Sequence, residues 1–328
     1  MRRNATFCPA PARQGASVSS HLPHKGPHMA TRQLVLVTDL DGTLLDDASA
    51  WPAPPRVLRE QLQRLTRPGE HPLVLAMASS RTLEEIVALQ RWLGWPGPCL
   101  AEDGALVAID DDAAGHVRAA LSAAGHPDPD IRIAGRRRLC VVRLGTPADQ
   151  LRDLLREWPG FGAADLAHAD LPRLTALGFG SPNRRRRSLT GRQASVLLDP
   201  AQWRAIVRTA GDQAPREWSV DVARGGRWST ATRRAGKGGA VQWLRAIVDY
   251  RSVSPCHIVG IGNGENDRSL LEAADERYAV RDLQGAVHHA LRDVADVIVP
   301  DARGTGGFLE MLDRVANSQS QRCTQEAR

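Results

Sequence analysis

Short unbroken apolar runs alternate along this chain with stretches whose apolar residues recur at helical spacing. Leu34 to Val37 is continuously apolar, the pattern of a strand buried on both faces. A polar loop follows, then a helical pattern over Val57–Leu65. Leu73–Ala78 is a second buried-strand run and leads into a helix over Leu83–Leu93, opened by a Thr82/Glu85 capping box. Cys99–Leu100 predicts a third short strand. Strand and helix in alternation are the signature of a doubly wound parallel sheet.

The stretch 108–232 reads differently. It predicts a strand at Cys140–Leu144, helices at Pro147–Trp158 and Asp165–Leu177, and loop or surface charge in the runs Arg136–Arg138 and Arg184–Arg187. A strand at Ala194–Leu198, a helix at Ala201–Thr209 and strands near Trp218–Val222 and Arg227–Thr232 complete it. After Gly236 the first pattern returns, with a helix over Gly239–Val248, a strand at Cys256–Ile261, a helix at Ser269–Ala274 and a last strand near Val297–Val299. The expected architecture is an α/β, Rossmann-like core (31–107 and 233–316) interrupted by an α+β cap (108–232).

With 328 residues the chain is long enough for two domains. No apolar run approaches the roughly 18 residues of a membrane span. The ends are expected to lie outside the fold. Residues 1–30 lack Asp and Glu and read as a disordered leader, with Met29 as the start of the natural protein, and 317–328 reads as a flexible tail. Five widely spaced cysteines without a CxxC form neither a disulfide framework nor a zinc site, so a reducing, cytoplasmic setting is expected. The net charge is +6, almost entirely arginine, and Lys25 and Lys237 are the two lysines. Aromatic residues are 4%, too few for base-stacking platforms, so nucleic acid is not an expected partner. No membrane partner is expected either, and the sequence leaves the oligomeric state open.

Candidate chemistry lies in the loops after the predicted strands. In Thr38-Asp39-Leu40-Asp41-Gly42-Thr43, two carboxylates leave a strand end on one face, and Gly42 permits a sharp exit. One such carboxylate can attack an electrophile while the other moves a proton. This segment resembles the DxDGT box of the haloacid dehalogenase superfamily. The resemblance implies that Asp39 is a nucleophile forming an aspartyl-phosphate. It implies that Asp41 protonates the leaving group and then activates water, and that Mg2+ is held by the Asp39 carboxylate and the Asp41 carbonyl.

A carboxylate approaching a phosphate meets like charge, at about 4 kcal/mol per unit pair for a ~4 Å separation and an effective dielectric near 20. The site must therefore supply donors and cations. Ser79-Ser80-Arg81-Thr82 sits at a strand-to-helix junction, where the Ser79 hydroxyl and backbone N–H groups can hold phosphoryl oxygens. Lys237 opens a helix after Gly236, and its ammonium is a compact point charge suited to a place between carboxylate and phosphate. Gly262-Asn263-Gly264-Glu265-Asn266-Asp267 is similar to the superfamily's GDGxND box, which assigns Asn263 and Asp267 to the metal shell. Asn263 stands where that box has its first Asp, so metal affinity should fall.

An insert between the second and third motifs resembles the caps of sugar-phosphatase branches. Further stretches are similar to the mannosyl-3-phosphoglycerate phosphatases: Thr38–Asp46, Ser79–Ile86, Ala101–Ala105, Arg224–Trp228 and, faintly, Gly191–Ser195. This implies a small phosphorylated sugar-acid substrate, with Ser80, Arg81, Arg192, Gly226 and Arg227 as candidate binding residues. Arg192 and Arg227 suit a carboxylate. Other sugar-phosphate phosphatases (sucrose- or trehalose-phosphate type), a phosphomutase and a non-catalytic binding protein of the same fold are the alternatives.

Overall fold

In the computed structural model the described residues are 32–45, 55–65, 73–123, 130–134, 136–157, 193–198, 221–225, 228–233, 235–251 and 255–326. The elements are β1 (Leu34–Thr38), α1 (Pro55–Arg64), β2 (Val74–Ala78), α2 (Leu83–Leu93), β3 (Cys99–Ala101), β4 (Leu106–Asp110), α3 (Ala114–Ala123), β5 (Asp130–Ala134) and β6 (Arg137–Arg143). They continue with α4 (Ala148–Arg156), β7 (Val196–Leu198), β8 (Asp221–Gly225), β9 (Trp228–Thr232), α5 (Lys237–Arg251), β10 (His257–Gly262), α6 (Arg268–Ala273), β11 (Glu276–Ala279), α7 (His289–Arg292), β12 (Val297–Ile298) and α8 (Thr305–Glu326).

The large sheet runs β12-β11-β10-β1-β2-β3-β4-β6-β5, parallel from β12 through β3 and antiparallel beyond. Alternation along β1 sends Leu34 and Leu36 to one apolar core with α1, α2 and α8, and Val35 and Val37 to another with α5 and α6. Strand order departs from β1 in both directions, so the gap between β1 and β10 is the switch point at which such sheets bind ligands.

Three differences from the sequence reading stand out. The end of β4 and all of β5 and β6 fall within 108–232, yet they extend the large sheet as antiparallel strands in the order β4-β6-β5; the smaller sheet, β7-β9-β8, is separate from it. Arg137, expected as loop or surface charge, lies in β6, and its fork takes both Asp110 oxygens at 2.9 Å. α8 continues past Asn317 to Glu326, its first half seated on the core by Phe308, Met311, Leu312 and Val315, a buried stripe at helical spacing. The helices expected at 165–177 and 201–209, and the Arg184–Arg187 run, lie outside the described residues.

Candidate active site

Asp39 leaves the carboxyl end of β1, fixed by its N–H donating to the Ile261 carbonyl at 2.9 Å. Gly42, with φ of +83°, then turns the chain back so that Gly42 N donates to the Leu45 carbonyl. Lys237 opens α5 from the opposite side and is 1% exposed. Its Nζ donates to Asp39 Oδ1 and to Asp267 Oδ1, each at 2.6 Å. A Cβ on Gly238 would come within 2.4 Å of the Ser269 carbonyl, so glycine lets the start of α5 seat against the start of α6, just after Asp267.

Asp267 is fully buried, and both its oxygens are engaged. Oδ1 takes Lys237, while Oδ2 accepts the Asn263 and Gly264 N–H groups at 2.9 Å each. A Cβ on Gly262 would lie 2.4 Å from that carboxyl carbon. Asp267 thus positions the lysine and the loop through both its oxygens. The Asn263 amide faces Asp39 Oδ2 at 3.2 Å, the Asp41 main-chain oxygen at 3.1 Å and the Thr43 hydroxyl at 3.1 Å, its nitrogen donating to them. Turning that amide over presents its oxygen beside Asp39 Oδ2 and the Asp41 main-chain oxygen, with the Thr43 hydroxyl donating to it. Such an all-oxygen set suits a hard cation such as Mg2+. Among the described residues no group of three His, Cys, Asp or Glu side chains offers an alternative metal site.

Charge around Asp39 is unbalanced. Burial, with the Asp267 carboxylate beside it, drives the Asp39 carboxyl well above the usual carboxylate range, against the pull of Lys237. Burial alone disfavours the Lys237 ammonium, but Asp267, Asp39 and Asp103 outweigh it and hold the lysine charged. A cation beside Asp39 Oδ2 opposes the burial cost.

Arg81 is 7% exposed, and its fork takes both Asp41 oxygens, at 2.9 and 2.5 Å. The sequence suggests Arg81 for substrate; here it grips the second carboxylate of the DxDGT box. Ser79 is buried, and its hydroxyl accepts from the Arg81 N–H at 3.2 Å, while Ser80 is half-buried on the same turn. The capping arrangement of α2 is realised through Glu85 Oε2, which accepts from the Thr82 N–H at 2.9 Å. Asp39, Asp41, Ser79, Arg81, Lys237, Asn263 and Asp267 therefore gather at the strand ends. Arg192, Gly226 and Arg227 lie outside the described residues, although β8, immediately before Gly226, approaches the 265–267 turn.

The sequence reading gave no role to Glu102 and Asp103. Both are buried and left-handed, with φ of 53° and 56°. The Glu102 N–H donates to the Arg81 carbonyl and the Asp103 N–H to the Ser79 carbonyl, each at 2.9 Å. Asp103 Oδ1 accepts from the Asn266 amide at 2.9 Å. Two acidic residues before a glycine, directly after a strand, are the signal that marks this turn.

No protein-family model matches the chain. The chain is 24% identical over 300 residues to a glucosyl-3-phosphoglycerate/mannosyl-3-phosphoglycerate phosphatase of Persephonella marina, covering 88% of this chain and all of that protein. Among solved structures, a haloacid dehalogenase-like hydrolase from Bacteroides thetaiotaomicron superposes with a TM-score of 0.54 at 16% identity, over 87% of this chain and 100% of the other. A protein from Thermoplasma acidophilum does so with a TM-score of 0.53 at 16% identity, over 87% and 99%. The chain thus shares the fold of the haloacid dehalogenase-like hydrolase, with its four loop motifs in order at the strand ends of the parallel sheet.

Proposed function

We propose that the chain hydrolyses the phosphomonoester of a glycosyl-3-phosphoglycerate, or of a closely similar sugar phosphate, through an aspartyl-phosphate on Asp39. The observation that carries this reading is the buried Lys237 ammonium, 2.6 Å from Asp39 Oδ1 in a site built at the ends of β1, β2 and β10.

An Asp39 carboxylate oxygen attacks phosphorus, and the bond from phosphorus to the sugar-acid oxygen breaks. Asp41 gives its proton to that departing oxygen. Asp41 then takes a proton from water, whose oxygen attacks the phosphoryl group and returns Asp39 as a carboxylate. Lys237 offsets the charge that builds between Asp39 and the phosphoryl oxygens. Ser79 and the backbone N–H groups at the start of α2 hold those oxygens. Because Arg81 occupies both Asp41 oxygens, an anionic substrate must draw the guanidinium off Asp41 before a proton moves. Asp39, the Asp41 carbonyl and Asn263 would hold Mg2+, which supplies positive charge at the phosphoryl group.

The small sheet and the insert around it act as the cap that selects the leaving group. The curated relative supports a phosphoglycerate derivative as substrate. A panel of phosphorylated sugars and sugar acids, compared by kcat/KM, tests this reading. The glucosyl or mannosyl phosphoglycerates are expected to lead by at least tenfold, about 1.4 kcal/mol of transition-state discrimination. Preference for sucrose or trehalose phosphate contradicts it.

A further inference from the structure

We infer that Glu102 is a positioning residue that ties the small sheet to the catalytic loops and so serves large, capped substrates rather than the phosphoryl chemistry itself. Its side chain is fully buried. Oε1 accepts the Gln193 N–H at 2.9 Å, and Oε2 accepts the Ala194 N–H at 2.9 Å and the Ser195 hydroxyl at 2.7 Å. Oε2 also lies 3.1 Å from the Gln193 N–H. Those three residues lead directly into β7 of the small sheet. One carboxyl group of the core thus accepts every donor that the start of β7 directs at it.

The other end of the tie is the site. The Glu102 main chain holds the Arg81 carbonyl, and Arg81 grips Asp41. The next residue holds Ser79 through its N–H and Asn266 through its side chain. Gly104, with φ of +84°, lies so close to the chain before Lys237 that a Cβ there would come within 2.4 Å of the Gly236 carbonyl. Three consecutive left-handed residues, two of them not glycine, make a conformation that persists only where its surroundings hold it. This turn touches all the later motifs and, through Glu102, the small sheet. The carboxylate thus fixes where the start of β7 stands relative to the site, while the main-chain N–H groups of the turn hold Ser79 and Arg81 without it.

Three variants test this: Glu102→Ala, Glu102→Gln and Ser195→Ala. Each is assayed on a glycosyl-3-phosphoglycerate and on p-nitrophenyl phosphate, which is too small to need a cap. Amide exchange at Gln193 and Ala194 is followed in parallel. Glu102→Ala is expected to lower kcat/KM for the large substrate by about 100-fold, the scale of a misplaced active-site geometry. It should change p-nitrophenyl phosphate hydrolysis by less than about threefold and speed amide exchange at 193–194 by tenfold or more. Glu102→Gln should recover part of the loss, since an oxygen at the Oε2 position still accepts the Ala194 N–H and the Ser195 hydroxyl while its NH2 faces the Gln193 N–H; Ser195→Ala should cost about tenfold at most.

Equal losses on both substrates, or no loss with unchanged exchange, overturn the inference. If Glu102→Ala does not fold, the same substrate contrast is read from the other two variants. The substrate contrast rests on the function proposed above. If the unaltered protein leaves glycosyl phosphoglycerates untouched, that function fails, and amide exchange alone decides the tie: faster exchange at 193–194 with α8 unchanged upholds it, and unchanged exchange overturns it.

Discussion

Lys237 Nζ stands 2.6 Å from Asp39 Oδ1, joining residues 198 positions apart. One nitrogen serves two buried carboxylates, Asp39 and Asp267, so both its charge and its compactness matter. Lys237→Ala is expected to lower kcat by about 10²–10³, the range for loss of one charge-stabilising donor. Removing one partner of a buried pair also destabilises, by about 3–5 kcal/mol. Lys237→Arg should fail to rescue activity, because a planar fork does not fit where two oxygens meet one nitrogen. Steady-state kinetics with thermal melts check both; an active Arg variant contradicts the point-charge role.

The Asn263 amide meets Asp39 Oδ2 and the Asp41 main-chain oxygen, the two oxygens that a cation would gather with its own. Asn263→Asp adds a carboxylate to that set, so the Mg2+ concentration for half-activation should fall by about tenfold or more. Without Mg2+ the same variant should melt below the unaltered protein, since it crowds another negative charge beside Asp39. Calorimetric Mg2+ titration with melts in chelator reads both effects. An unchanged activation constant removes Asn263 from the metal shell.

Glycines at two positions should respond oppositely to alanine. Gly104→Ala places a Cβ 2.4 Å from a backbone oxygen at φ of +84° and should cost more than about 1 kcal/mol. Gly115 lies in α3 with nothing within 4 Å of a built Cβ, and Gly115→Ala should gain about 0.4–1 kcal/mol. Denaturant melts distinguish them.

Acid should weaken one specific tie. Burial pushes the Asp275 carboxyl up, but its bonds from Arg245 at 3.0 Å and from the Ile258 N–H at 2.8 Å outweigh that and bring it below its usual value. A lowered folded value means that Asp275 stabilises above the ordinary Asp range near 3.9, and that the gain is lost as pH falls through the folded value. The pair is partly exposed, so solvent screening keeps the effect below about 1 kcal/mol. Asp275→Asn should lower Tm slightly at pH 7, with the difference closing below about pH 4. A difference that grows in acid contradicts the sign.

What the sequence revealed was local. The apolar run of β1 followed by Asp39 and Asp41, the Thr82/Glu85 cap and the isolated Lys237 each declare themselves within a few residues. α2 spans Leu83–Leu93 as expected, closed by Gly94 at φ of +69°. What stayed hidden depends on distant partners. Nothing near Glu102 in the chain points to residues 193–195, and nothing near Arg81 tells whether its fork meets substrate or Asp41. The membership of β4, β6 and β5 in the large sheet stayed hidden because it rests on long-range pairing: Ala105–Ile109 and Leu139–Val142 are apolar runs, but nothing near either says that they pair with each other. α8 was masked by Gly306-Gly307 at its start, although Phe308, Met311, Leu312 and Val315 carry its buried face.

Acid-quenching the protein during turnover, digesting it and mapping the phosphate by mass spectrometry tests the proposed chemistry most directly. A phosphoryl group on the peptide carrying Asp39, absent in Asp39→Asn along with turnover, is the expected result. Full turnover by Asp39→Asn, or a phosphate found on another residue and none on Asp39, contradicts it.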